Sequence, residues 1–312
     1  MLPLMKSRER VLVAIQHQEP DRVPAGELYI DPKLIQRAVT NRGQDDWEAT
    51  REFLQLFELD LVVCHLGLSS FTSHSFSQIK RWAEETDFFV FALVGGGFSC
   101  LWPFLGSLPC LIAAQREPDI MRLWIKKMTE LNTHLALSAV EAGADGIIIA
   151  DDLAYNHGLF LPARDLRELL FPYLAKEVRD IRDYGVPVFF HSDGNINEIL
   201  PDIVALGFNG LHCLQASAGM DLKKIKKEYG DQLCLMGTID LSRILNPNDT
   251  AGVEEEIGVN IALGAPGGGF ILSTCSGLIN GISLDTLEQL YKSALRYGRY
   301  VYAHKSMGNP KH

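Results

Sequence analysis

Val188-Phe189-Phe190-His191-Ser192-Asp193-Gly194-Asn195 passes from an apolar run to a polar cluster and then to a glycine turn. A strand covered on both faces reads as a short apolar run, and side chains two apart on it share a face. His191 and Asp193 are therefore expected to project together beyond the carboxyl end of a buried strand. That is where α/β barrels carry their chemistry.

The same grammar recurs along the chain. Apolar runs that end in polar residues occupy 23–30, 60–66, 89–95, 146–151, 186–193, 210–215, 233–240 and 270–277. Amphipathic stretches at 117–142, 162–184, 196–206 and 284–300 separate several of them, the first with Pro118 in its opening turn and Gly143 just past its end. Eight strand-helix units predict one α/β domain over 1–312, a (β/α)8 TIM barrel, for which roughly 250 residues is typical. The surplus is assigned to an N-terminal helical extension at 7–17 and to a long segment between the second and third strands. Within that segment, 76–86 reads as a short hairpin or lid.

Composition fits a soluble barrel with a large core, since 47% of the residues are apolar. No apolar run approaches the roughly 20 residues that span a bilayer, and the first ten residues lack a signal-peptide pattern, so the expectation is cytoplasmic and off the membrane. The six cysteines lack paired spacing and lie in or beside apolar runs, which favours reduced, buried thiols. A formal charge of −10 disfavours nucleic acid and polyanionic ligands. Lys223, Lys224, Lys226 and Lys227 cluster on a predicted exterior helix, where a solvated face is the simpler reading. The glycine runs at 95–97 and 267–269 lack a phosphate-binding fingerprint and read as tight turns.

Polar strand termini define the candidate site. His191, Asp193 and Asp152 are the catalytic candidates; of the adjacent pair, Asp152 is preferred because Asp151 continues the face of Ile147 and Ile149. Glu27, Tyr29, His65, Tyr155, His157 and Cys275 are candidates for substrate contact. Each has a structural alternative: salt bridging for Glu27, a satisfied core histidine for His65, a small buried thiol for Cys275. His191 and Asp193 also suit a zinc ion held by nitrogen and oxygen at about 2.0 to 2.2 Å. The presence of any metal stays open at this point.

The stretches Ser7-Arg8-Glu9-Arg10-Val11-Leu12, Glu19-Pro20-Asp21-Arg22-Val23-Pro24 and Ala142-Gly143-Ala144-Asp145-Gly146, with 264–273, resemble the uroporphyrinogen decarboxylase superfamily. That resemblance covers almost the whole chain and implies a (β/α)8 barrel. Ile149-Ala150-Asp151-Asp152-Leu153, residues 189–195 and Ile271-Leu272-Ser273-Thr274 are most similar to the branch that demethylates methoxyaromatic compounds with corrinoid proteins. The decarboxylases carry an Arg-Gln-Ala-Gly-Arg segment that receives substrate carboxylates, whereas the comparable stretch here is Val23-Pro24-Ala25-Gly26-Glu27-Leu28-Tyr29. The thiol methyltransferases of the superfamily bind zinc through His-x-Cys and a later cysteine. This chain has His191-x-Asp193, and its Cys275 falls one position before the family cysteine, where Ser276 stands.

The resemblance implies a methyltransferase that moves methyl from a small O-methyl donor to Co(I) of a separate corrinoid protein. No corrinoid-binding Asp-x-His-x-x-Gly motif occurs here, so the cobalamin cofactor is expected on a partner. Tyr29, Tyr155, Phe98 and Trp102 are candidates for the wall of an aromatic site. A decarboxylase of tetrapyrrole biosynthesis is the runner-up, and a non-catalytic ligand-binding subunit the third reading. Donor identity and homo-oligomeric state stay open.

Overall fold

The computed structural model describes residues 5–39, 46–67, 74–245 and 250–300. Its central sheet has seven parallel strands in sequential order. They are β1 (Leu61–His65), β2 (Phe89–Gly95), β3 (Gly146–Ala150), β4 (Val188–His191), β5 (Gly210–His212), β6 (Cys234–Met236) and β7 (Phe270–Ile271). Each is short and almost wholly apolar because helices cover one face and the opposite face turns into the barrel.

The run at 23–30 supplies the eighth stave, though without becoming a regular strand. Gly26 N–H donates to the Leu272 carbonyl (3.0 Å), Leu272 N–H donates to Pro24 (2.9 Å), and Asp60 N–H donates to Ala25 (2.7 Å). Ladder bridges are confined to Ala25 with Leu272 and Ile30 with Leu278. Pro24 has no N–H to offer a ladder, which helps explain the irregularity. The segment therefore spans from β7 to β1, in an α/β barrel of the expected type.

Phe89, Phe91, Ile148, Phe189, Cys234 and Met236 fill the interior, and Val11 and Ile15 of the N-terminal helix Ser7–Ile15 join the same cluster. That helix closes the barrel at the amino ends of the strands. Interior ring contacts include Phe89 with Phe91 at 4.7 Å and Phe91 with Phe189 at 5.1 Å. Such tilted aromatic pairs add about 0.5–1.5 kcal/mol beyond area burial. At the other end, the parallel register places Gly95, Ala150, His191, His212, Met236 and Ile271 on one rung.

Residues 76–86 form a helix, Phe76–Glu85, rather than a hairpin. Ser75 Oγ accepts from Gln78 N–H (3.3 Å), and the Gln78 side chain accepts from Ser75 N–H (2.8 Å), a reciprocal cap that starts the helix. The expected helix at 162–184 is divided into Ala163–Leu169 and Phe171–Arg182. Pro172, without an N–H, sits in the first turn of the second piece. Lys223, Lys224 and Lys227 face solvent, while Lys226 is partly buried and donates to the Gly268 carbonyl. No helix among the described residues is long and apolar enough to cross a membrane.

Candidate active site at the carboxyl ends of the strands

β4 ends at His191, and alternation aims its ring into the mouth of the barrel. Asp193 follows two residues later and Asp152 lies just past β3. One ligand atom from each of Asp152, His191 and Asp193 falls within 4.8 Å of the others. His191 Nε2 stands 4.0 Å from Asp152 Oδ1 and 4.0 Å from Asp193 Oδ1. Asp193 N–H donates to Asp152 Oδ1 (2.9 Å), so the backbone of one loop fixes the carboxylate of the other. Gly194 makes this approach feasible: its φ is +84°, and a Cβ there would lie 2.6 Å from the Ala154 carbonyl carbon.

Asp193 Oδ1 is buried without a hydrogen bond of normal geometry, although the Cys213 thiol lies against the carboxyl. Burial pushes Asp193 above its ordinary value; His191 acts in the opposite sense, and Asp152 adds to the rise. An unsatisfied buried carboxylate oxygen facing an imidazole nitrogen and a second carboxylate fits a divalent cation of zinc type. His191, Asp193 and Asp152 would hold it.

His212 stands beside His191 on the shared rung, and their Nδ1 atoms are 2.8 Å apart. Burial and the adjacent His191 hold His212 well below the usual histidine range, so its ring is neutral. The Thr274 carbonyl acts on that ring, though Nε2 makes no hydrogen bond of normal geometry. With its proton on Nε2, His212 accepts from His191 Nδ1–H and leaves His191 Nε2 to meet the carboxylates. His212 was not among the residues singled out from sequence. Its signal was weak, because Cys213 and Leu214 follow it and place His212 inside the run 210–215 rather than at its end.

The adjacent aspartates separate. Asp151 is fully buried and accepts from Phe98 N–H (3.0 Å) and Ser99 N–H (2.6 Å). Desolvation nevertheless pushes it up to about 6. Gly96 permits this packing, because a Cβ there would come within 2.1 Å of Asp151 Cβ. Asp151 thus anchors the glycine loop, and Asp152 takes the place in the cluster.

Tyr155 and His157 lie on a hairpin beside the cluster; Asn195 N–H donates to the Tyr155 carbonyl (2.9 Å). Tyr155 is half exposed and stacks on Phe160 at 5.7 Å, with Trp102 edge-on to Phe160 at 5.5 Å and Phe98 behind it. His157 is exposed and meets Tyr155 edge-on at 5.9 Å. His65 ends β1 as a partly buried, neutral imidazole, lowered to about 4 by desolvation, and His191 is among the groups acting on it. Its Nε2 contacts the Leu28 carbonyl at 2.7 Å. Tyr29 approaches its ring at 6.0 Å. Cys275 is buried and donates to the Gly237 carbonyl (3.2 Å). It meets Cys213, which lies against Asp193, so Cys275 stands one contact away from the cluster.

Glu27 belongs to a different environment. Val23 and Ala25 pack into the helix-facing core, and Glu27 follows them. Its carboxyl accepts from Tyr291 Oη (2.8 Å), Thr274 N–H (3.1 Å) and Ser273 Oγ (3.4 Å), with a further bond from Thr274 Oγ1. Complete burial, opposed by these donors, pushes Glu27 up to about 7 from 4.5. Because the folded value is raised, the folded protein binds the extra proton. The associated stability is fully present below pH 4.5 and is lost as pH rises toward 7. The loss reaches about 3 kcal/mol at 1.36 kcal/mol per decade. Urea unfolding of wild type and Glu27→Gln from pH 4 to 8 is expected to show the difference between them changing by that order across this window. Parallel pH profiles would refute it.

Seven regular strands and an irregular eighth stave, with carboxylates and imidazoles gathered at the strands' carboxyl ends, define a (β/α)8-type barrel with a polar mouth. The uroporphyrinogen decarboxylase (URO-D) family model matches residues 77–297, more than half of the chain. The chain belongs to that family. A uroporphyrinogen decarboxylase of Chlorobium phaeobacteroides is 30% identical over 154 residues, a match spanning 49% of this chain and 40% of that relative. One from Chlorobium limicola is 31% identical over the same length. The chain thus matches less than half the length of these relatives. A methyltransferase from Methanosarcina mazei shares the fold at TM-score 0.75 and 20% identity, covering 94% of this chain and 99% of that one. A B12-independent methionine synthase from Shewanella sp. W3-18-1 follows at TM-score 0.58 and 10% identity, with coverage of 89% and 96%.

Proposed function

We propose that the chain transfers a methyl group from a small methoxylated compound to the Co(I) centre of a separate corrinoid protein. The convergence of Asp152, His191 and Asp193 within 4.8 Å at the mouth carries this reading. An ether oxygen is a poor leaving group until it receives a proton or meets a cation, and this cluster offers both means of activation.

The partner's cobalt supplies the nucleophile. The barrel must hold the donor, aim its methyl outward and activate the oxygen. The carbon–oxygen bond breaks with its electron pair moving to oxygen. His191, positioned by His212, and Asp193, raised by burial, face the place where that charge develops. A positioned acid is worth about 10²- to 10⁴-fold. A zinc-type cation held by the same side chains would supply Lewis-acid activation instead. Tyr155 and Phe160 offer a flat apolar surface beside the cluster.

Porphyrinogen decarboxylation fits the chemistry less well. The substrate's many carboxylates would meet Asp152 and Asp193, and the 23–29 stretch carries Glu27 and no arginine. The test supplies the purified chain with a reduced corrinoid protein and 2-methoxyphenol, and follows cobalt methylation spectroscopically. Methylation is expected, while uroporphyrinogen should remain unconverted. Decarboxylation at a rate typical of a dedicated decarboxylase, with no cobalt methylation, would reverse the assignment.

A further inference from the structure

β3 lies between β2 and β4 in the sheet, and its ladder to β4 ends with Ala150 opposite His191. Asp151 N–H makes the last backbone bond, to the His191 carbonyl (2.9 Å). Past that point the amides that carry Asp152 into the mouth go to side chains. Asp152 N–H donates to Ser99 Oγ (3.1 Å) on the β2 side, and Leu153 N–H donates to Ser192 Oγ (3.0 Å) on the β4 side. Successive amides of an extended chain point to opposite edges, so residue 152 is suspended between the loops of both neighbouring strands.

Each serine is itself pinned. Ser99 N–H donates to Asp151 Oδ1 (2.6 Å). The loop before it is held where Gly96 N–H meets the Ala150 carbonyl (2.6 Å) and Asn132 Nδ2 meets the Gly96 carbonyl (3.0 Å). Ser192 is fully buried, and its N–H donates to the His212 carbonyl (3.2 Å). Its hydroxyl accepts from Leu153 while donating to the Asp193 carbonyl (3.0 Å), a double use that needs an O–H with lone pairs. Asp193 is thus fixed at its carbonyl by Ser192 and at its N–H by the Asp152 carboxylate (2.9 Å). The circuit of Leu153, Ser192, Asp193 and Asp152 holds two mutually repelling carboxylates at one imidazole nitrogen.

We propose that Ser99 and Ser192 are positioning residues for methyl transfer, which act by setting where the Asp152 and Asp193 carboxylates stand. The inference rests on the methyl-transfer reading. Activation of the leaving oxygen depends on placement, and a displacement of about 1 Å can cost about 10²-fold in rate. Without Ser192 Oγ the buried Leu153 amide has no partner and Asp193 loses the bond at its carbonyl, so the 152–153 segment must shift to regain them.

Ser192→Ala should lower kcat for cobalt methylation from 2-methoxyphenol at least about tenfold, with KM within about twofold of wild type. In an Asp193→Asn background the same substitution should change kcat less than about twofold, because the group through which Ser192 acts is already gone. Multiplicative losses in the double variant, or a wild-type kcat in Ser192→Ala, overturn the proposal. Ser99 is only partly buried, so Ser99→Ala repeats the test at a site that tolerates change, and Ser99→Thr, which keeps the hydroxyl, should restore the rate. A threonine variant as slow as the alanine variant also overturns it. Crystal structures separate the geometry from the reaction: the Asp152 carboxylate should leave the Asp193 amide in Ser192→Ala and keep it in wild type. Carboxylates that part in this way, in a protein that methylates no corrinoid protein, remove the methyl-transfer reading and keep the two serines as the groups that place them. Cobalt methylation by wild type with the carboxylates unmoved in the variant removes the positioning role and keeps the reading.

Discussion

His191→Ala will lower cobalt methylation by at least about 10²-fold with the barrel still folded, and Asp193→Asn will do the same. His191 faces both carboxylates, at 4.0 Å each. Removing it deprives the leaving oxygen of a donor or the cation of a ligand. Asp193→Asn preserves shape and removes the ionisable group. If leaving-group activation is the function lost, the defect should shrink for ethers of acidic phenols, whose phenolates leave without help. Uniform loss across such a donor series would indicate binding or positioning instead. Metal analysis of the same proteins separates the two chemical routes. Stoichiometric zinc in wild type that both variants lose supports Lewis-acid activation, whereas active metal-free wild type supports proton transfer. Rates within a few-fold of wild type for both variants would move the catalytic centre elsewhere.

The clustering of Asp152, His191 and Asp193 was readable because their environment is regular. β4 is apolar up to His191, so period-two alternation and the barrel's handedness leave one place for the imidazole. The choice of Asp152 over Asp151 used the same argument, and Asp151 does lie buried under the glycine loop. Glu27 shows where that argument needs a second step. Lying near the carboxyl end of a stave does not make a side chain face inward. Val23 and Ala25 already mark the outward parity that sends Glu27 to Tyr291.

Other features depended on long-range contacts or on signals outweighed by pattern. The reading of 76–86 as a hairpin or lid left out the Ser75-x-x-Gln78 cap, whose reciprocal bonds start a helix. Cys213 acquires meaning only through its contacts with Cys275 and Asp193, which are distant in sequence. The unpaired N–H of the buried Trp47 is likewise evident only once its neighbours are placed.

Asp60→Ala will destabilise the protein by about 3–5 kcal/mol, the usual cost of leaving a buried charge without its partner. The reason lies in the same N-terminal stretches that carry the family resemblance. Asp60 is fully buried at the start of β1 and accepts from Arg10 Nη1 (2.6 Å), Arg22 Nη1 (2.7 Å), Ser7 Oγ (3.0 Å) and Ala25 N–H (2.9 Å). Arg10 also meets Asp21 at 2.6 Å, with only 5% of its side chain exposed. One carboxylate thereby ties the closing helix and the irregular eighth stave to the first regular strand. Removing it takes the carboxylate from Arg22, leaves Arg10 with the Asp21 carboxylate alone, and frees the Ala25 amide that helps shut the barrel. Asp87→Ala provides the comparison, because its pair with Lys6 is 63% and 70% exposed. Solvent screening limits such a pair to about 0–1 kcal/mol. Urea titrations of both variants should therefore differ widely in midpoint, and an Asp60→Ala loss below about 1 kcal/mol would show that the stave is held by packing rather than by this carboxylate.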